Sequence, residues 1–349
     1  MSEINKLIII GNGFDLAHGL KTSYKNFLDW YFCKAFKEFC TTGTYNDPLI
    51  EIKRDYSGMS TKFTNMPTTL EETLNLISSS RYQSFHYNSH FFNQLIISFQ
   101  KNSWVDIEKY YFRLLKSHFT NRNIDREKAV AKLNRDFDVL ITQLTNYIKE
   151  VNLSIHNFST LKLSSNRCNL DNVLYERGFL KQIKFLTFNY TETLRALDYA
   201  DEKDIIHIHG RAYELDKNPI IFGYGDESDP TYQSIEDSGD NIYLEHIKSF
   251  GYFKTGNYHQ LLSYIDSAPY TAYIIGHSCG ISDRILLNEI FEHQNCQHID
   301  IFYHRRSDRS DNFKDITQEI SRHFKPHNKN IMRRKVLNKN PNNFIPQTH

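Results

Sequence analysis

"KLIIIGNGFDLAHGLKTSYKNF", Lys6–Phe27, decides the fold. An unbroken aliphatic run, Leu7–Ile10, leads directly into Gly11-Asn12-Gly13. Apolar residues at every position, bounded by glycine, describe a strand buried on both faces rather than one wet face of a sheet. The dinucleotide fingerprint G-x-G-x-x-G is met at Gly11 and Gly13 but fails at its third glycine, where Leu16 stands, and the next glycine is Gly19. One reading is a tight turn whose glycines allow positive φ or close approach, with Asp15 capping a short helix. The other is a phosphate loop, in which the backbone of Gly11, Asn12 and Gly13 and the neighbouring Asp15 meet a pyrophosphate at a helix start. "GLKTSY" then forms a second wall, with Thr22 and Tyr24 as its polar contacts.

Further β-branched runs lie far downstream: KFLTF (184–188), DIIHIH (204–209), PIIF (219–222), TAYIIG (271–276) and HIDIFY (298–303). Together with the first run they predict an α/β fold with a mostly parallel sheet covered on both faces, whose ligands sit at the carboxyl ends of the strands. A helix is predicted from Ser23 to about Phe39. Between the two blocks of strands the pattern changes. Val130, Leu133, Phe137, Leu140, Leu144 and Ile148 recur at helical spacing, and Ser103-x-x-Asp106 reads as a capping box. Residues 72–99 are more helical than extended. Asp106 and Glu108, at a helix start, read as partners of the helix dipole. The predicted organisation is a discontinuous core, 1–59 and 179–310, a large helical insertion, 60–178, and a C-terminal helix with a basic tail, 311–349. After Lys325 no acidic residue occurs, and the tail is expected to be loosely ordered.

Composition narrows the classes. The chain has 349 residues, 40% of them hydrophobic and 14% aromatic, enough for a large packed core. A formal charge of +1 gives no global pull towards nucleic acid or an anionic membrane. The 5 cysteines are scattered and never spaced C-x-x-C, which argues against a disulfide framework and a four-cysteine zinc site. No stretch approaches the roughly 18 apolar residues of a membrane span. The first strand starts too early for a signal peptide, so the expected compartment is the cytoplasm.

Three strand ends carry candidate chemistry. Asn189, in "FLTFNYTETLRAL", either opens a capping box with Glu192 or turns its amide over the strand end towards a ribose or a water. In "DIIHIHGRA", His207 and His209 share a face; His209, at the carboxyl end beside Gly210, is placed for general acid–base work, and His207 lies deeper. "IIGHSCGISDRILL" satisfies the nucleophile elbow G-x-S-x-G. Too little chain follows Ser278 for the acid and histidine strands that a serine hydrolase needs, and the next helix starts late, with Ser282 as its expected cap. Gly276 and Ser278 serve better as another strand-end loop facing a ribose or phosphate. No histidine and carboxylate spacing demands a metal.

Taken in order, "IIIGNGFDLAHGLKTSYKNF", "SWVDIE", "FNYT", "IHIHG" and "IIFGYGDE" resemble the bacteriophage abortive infection AbiH family. The pattern of Gly11–Gly13, Gly19-Leu20, Asn189, a histidine–glycine pair and the 276–278 loop is similar, more remotely, to the sirtuin-like, Rossmann-like NAD-binding fold. The paired C-x-x-C motifs of true deacylases are absent, and Thr191 stands where their T-x-N-x-D pattern has aspartate. The resemblance implies phage defence and cleavage of NAD at the nicotinamide–ribose bond, with Asn189 orienting ribose and water and His209 as base. NAD or a related nucleotide is then substrate or ligand, and a phage-derived trigger and a second copy of the chain are partners it admits. The rival it leaves open is a nucleotide-binding sensor without turnover.

Overall fold

A computed structural model describes residues 4–54, 66–79, 83–102, 106–121, 123–157, 168–174, 182–224, 226–306, 308 and 310–346. Its eight strands are β1 (Asn5–Ile10), β2 (Thr44–Asn46), β3 (Ile50–Arg54), β4 (Gln83–Tyr87), β5 (Ile183–Thr187), β6 (Ile205–His207), β7 (Tyr270–Ile275) and β8 (Cys296–Phe302). The chain divides into two compact units, Met1–Lys21 with Ile148–Ser234 and His246–His349, and Thr22–Tyr147 with Ile235–Glu245.

The first unit is an α/β structure around a five-stranded sheet in the order β6-β5-β1-β7-β8, parallel at every pairing. The aliphatic run of β1 explains its central place. Leu7 and Ile9 join a core with Leu186, Ile206, Ile274, Leu286 and Ile290, while Ile8 and Ile10, on the opposite face by period two, are buried as well. Each such side chain contributes about 1.5–3 kcal/mol on burial, so one charged replacement at Ile9 would break the centre of the sheet. From β1 the chain moves outward to β5 and β6, then returns to the other side of β1 for β7 and β8. The direction of winding therefore reverses between β1 and β7, and open sheets hold ligands at the carboxyl ends of the strands flanking such a reversal.

The second unit contains the predicted helix, observed as Tyr24–Thr42. Ser23 Oγ accepts from Asn26 N at its start, and Gly43 ends it in the left-handed region, φ +83. Its buried stripe is Phe27, Leu28, Tyr31, Phe32, Ala35, Phe36 and Phe39. The amphipathic spacing from Val130 forms the long helix Arg126–Ser154, and Phe137 on it stacks against Tyr111 with ring centroids 4.2 Å apart. Asp106 caps the helix Ile107–Thr120 by accepting from Lys109 N at 2.9 Å; its proposed partner Ser103 lies outside the described residues.

Several expectations are corrected. Residues 219–222 form no strand: Ile221 and Phe222 are buried, and Ile221 N donates to His209 O at 2.9 Å without a ladder forming. The stretch 72–99 is more helical than extended, as expected, in the helices Leu70–Ser79 and His90–Asn102, but between them runs β4, which pairs antiparallel with β3, and β3 also pairs with β2. Cross-strand pairing overrides the helical pattern there. The tail is ordered: Val336 bridges Ile299, Phe344 bridges Tyr303, and Asn343 Nδ2 donates to Asp300 Oδ1 at 2.6 Å. β8 is an edge strand, and its open backbone groups take the tail as a partner. Among the described residues no helix is long and apolar enough to cross a membrane.

Candidate functional site

The loops leaving β1, β5 and β7 are fastened to one another. Gly11 N donates to Ile275 O at 3.1 Å, Gly13 N to Gly276 O at 2.8 Å and Phe14 N to Gly11 O at 2.9 Å. A Cβ on Gly11 would lie 2.5 Å from His277 Cα, and one on Gly13 would lie 2.8 Å from Gly276 O. The two glycines are there because the β1 and β7 loops approach backbone to backbone. This corrects the expectation of a backbone phosphate cradle at Gly11 and Gly13, since both N–H groups are already spent inside the protein. At the tips of these loops, Asn12 and Ser278 are exposed.

Asn189 is not a helix cap. The short helix behind it is Thr193–Ala196, with Glu192 at its N-cap position and no capping bond. The Asn189 side chain instead crosses to the β1 loop, Nδ2 donating to Gly11 O at 3.1 Å. Asp15, fully buried, turns towards the same strand end, where its Oδ2 accepts from Thr191 Oγ1 at 2.6 Å; Oδ1 has no hydrogen-bond partner. Burial raises the Asp15 carboxyl to about 6, against the pull of hydrogen bonds from Thr191, Thr193 and Asn189. Asn189, Asp15 and Gly11 are thus brought together. Thr22 and Tyr24 belong to the second compact unit, at the start of the helix Tyr24–Thr42.

His209 lies at the carboxyl end of β6, 4% exposed, with its ring 4.9 Å from that of Phe188. Its Nε2 is 3.2 Å from Asp283 Oδ1 yet unaligned for a hydrogen bond, while the Phe188 backbone holds the ring. Asp283 also binds Lys248, Nζ to Oδ1 at 2.6 Å, and lies 3.6 Å from His277 Nε2. Burial pushes Asp283 up, but Lys248, His209 and His277 outweigh it and hold the carboxyl far below its usual range. Burial, reinforced by Lys248, lowers His209, and Asp283 only partly offsets them. Burial likewise takes His277 and His207 down to about 4. The resting state is therefore an Asp283–Lys248 ion pair flanked by neutral imidazoles.

The serine elbow is excluded on geometry. Positive φ falls at Gly276 (+72) and Cys279 (+55), not at Ser278, and the helix begins only at Arg284. Asp283, not Ser282, holds that helix's N-cap position, and it makes no capping bond. At the β6 end, Arg211 grips Glu192 with two bonds of 2.8 and 2.6 Å and also reaches Glu202.

Asp283, Lys248, His277 and Arg211 escaped the sequence reading. His277 and Asp283 lay inside a motif whose serine drew the attention, and Lys248 carries no local signal at all.

The fold and site define an α/β protein whose parallel sheet gathers a buried acid, an amide and a histidine–aspartate–lysine cluster at the carboxyl ends of its strands. The chain belongs to the bacteriophage abortive infection AbiH family, whose model matches residues 7–305, and the family implies a role in phage abortive infection. No curated protein matches it.

Proposed function

We propose that this AbiH chain hydrolyses NAD at the nicotinamide–ribose bond, with a Rossmann-like, sirtuin-like core. The observation that carries the reading is the unpaired, buried Nε2 of His209, a proton acceptor beside a carboxylate, on the same sheet edge as Asn189 and Asp15. The strand order, with its reversal at β1 and β7, supports a nucleotide site there. Cleavage of this bond passes through an oxocarbenium-like state, which fixed dipoles stabilise better than a strong nucleophile does. Asn189, steadied by Gly11, orients ribose and water, and His209 takes the proton. Asn12 and Ser278, at the exposed loop tips, supply the polar contacts that the committed Gly11 and Gly13 N–H groups do not. Thr191, where the deacylase pattern has aspartate, carries the Asp15 carboxyl on its hydroxyl, so a carboxyl group still stands at that strand end.

Binding without turnover is the second reading, and the burial of His209 favours it. The test is release of nicotinamide from NAD by purified protein, with and without phage lysate. Cleavage that falls by about 100-fold or more in His209→Ala and Asn189→Ala supports the reading. Tight NAD binding with no release under any trigger favours the sensor.

A further inference from the structure

Lys248 is a cation almost wholly removed from water, 2% exposed, and a removal of that kind costs several kcal/mol unless the charge is paired. Its position is set from the backbone: Tyr224 bridges Ile247, and Lys248 N donates to Tyr224 O at 3.0 Å. On the same segment Tyr252 lies with its ring nearly parallel to the His209 imidazole, centroids 6.4 Å apart. The groups facing His209 are Asp283 and His277 from the β7 side, Lys248 and Tyr252 from the segment after Ile247, and Phe188 and Tyr190 from the β5 loop. With the other ring nitrogen engaged by the Phe188 backbone, neutral His209 keeps its Nε2 lone pair unengaged, beside a carboxylate oxygen 3.2 Å away but not aimed at it. A proton taken up on Nε2 therefore puts a positive charge 3.2 Å from the Asp283 carboxylate without Asp283 occupying the lone pair beforehand.

Resting on the reading of His209 as the base, we propose that Asp283 and Lys248 are its positioning residues. Asp283 receives the imidazolium formed when Nε2 takes a proton, and Lys248 anchors and balances Asp283 until that proton arrives. In the step, one N–H bond forms at His209 Nε2 as the O–H bond of a ribose hydroxyl or water breaks. Asp283 stays a carboxylate, Lys248 stays an ammonium, and the cluster gains one positive charge.

The experiment follows His209 itself, in the full-length chain labelled with 15N-histidine and assigned by loss of its signal in His209→Gln. Lys248→Met is expected to move the His209 titration upward by about one pH unit, tenfold in proton affinity. Asp283→Asn is expected to move it downward, and Lys248→Arg to leave it near that of the parent protein. The doubly neutral Lys248→Met/Asp283→Asn chain is expected to titrate between the two single variants, and comparison with Asp283→Asn decides the matter where Lys248→Met alone does not fold. A His209 titration that stays fixed in folded Asp283→Asn, or that is the same in Asp283→Asn and the double variant, overturns the proposal. Absence of NAD cleavage overturns the proposed reaction instead and leaves this order of titrations standing.

Discussion

Thr191 Oγ1 donates to Asp15 Oδ2 over 2.6 Å, joining the loop after β5 to the short helix Asn12–Ala17 after β1 across 176 residues of sequence. The carboxyl it holds is buried, and burial raises it from 3.8 to about 6. The fold therefore prefers the acid form. Stability from this group is fully present below 3.8 and is lost as pH rises through about 6. The loss is on the order of 3 kcal/mol. Asp15→Asn, which keeps an acceptor for Thr191, is expected to flatten that decline, and thermal melts between about pH 4 and 7 measure it. Parallel declines in the two proteins would remove Asp15 as the cause.

The contact between the β1 and β7 loops predicts which glycines are replaceable. Gly276 has φ +72, and a Cβ there would lie 2.2 Å from Phe14 N. The conformation alone costs about 1–2 kcal/mol for alanine, and the collision adds to it. Gly276→Ala is expected to lower the melting temperature strongly. Gly256→Ala, with open space around it and no positive φ, is the matched control and should melt like the parent chain.

Arg211 and Glu192 stand as a buried, two-bonded pair. Arg211→Met leaves the enclosed Glu192 carboxylate with only the more exposed Arg195, 3.2 Å from its Oε2, and is expected to cost about 3 kcal/mol. Combining it with Glu192→Gln should recover much of that, because the poorly compensated charge goes with it. Chemical denaturation of the single and double variants gives the comparison, and a double variant no more stable than Arg211→Met would count against the pair.

Ser278 separates a substrate contact from a nucleophile. As one polar contact at an exposed loop tip, its loss in Ser278→Ala is expected to lower NAD cleavage by no more than about 10-fold, the worth of one hydrogen bond. A drop of about 10⁴-fold would be the behaviour of a nucleophile and would return the serine to the centre of the chemistry.

Periodicity alone located most of the sheet. Leu7–Ile10 is apolar at every position, as a strand buried on both faces needs, and the runs at 184–188, 204–209, 271–276 and 298–303 are short and rich in β-branched and aromatic residues. The helix from Ser23 was legible because cap and stripe agree. PIIF at 219–222 failed because burial produced its apolar composition, and among the described residues it joins no sheet. β4 failed for the opposite reason, as pairing with β3 arrived from outside a locally helical pattern.

What the sequence by itself determined is thus the α/β class, the strand-end positions of Asn189 and His209, and the AbiH membership that the whole run of motifs carries. The tertiary structure decided what those residues meet. Gly11 and Gly13 are small because another loop lies against them, Asn189 reaches Gly11 rather than a helix end, and His209 faces an Asp283–Lys248 pair. Such partners are invisible in one dimension because a parallel sheet brings together loops separated by long stretches of chain. Electrostatic pairing in a buried site depends on distance in space and not on spacing along the sequence.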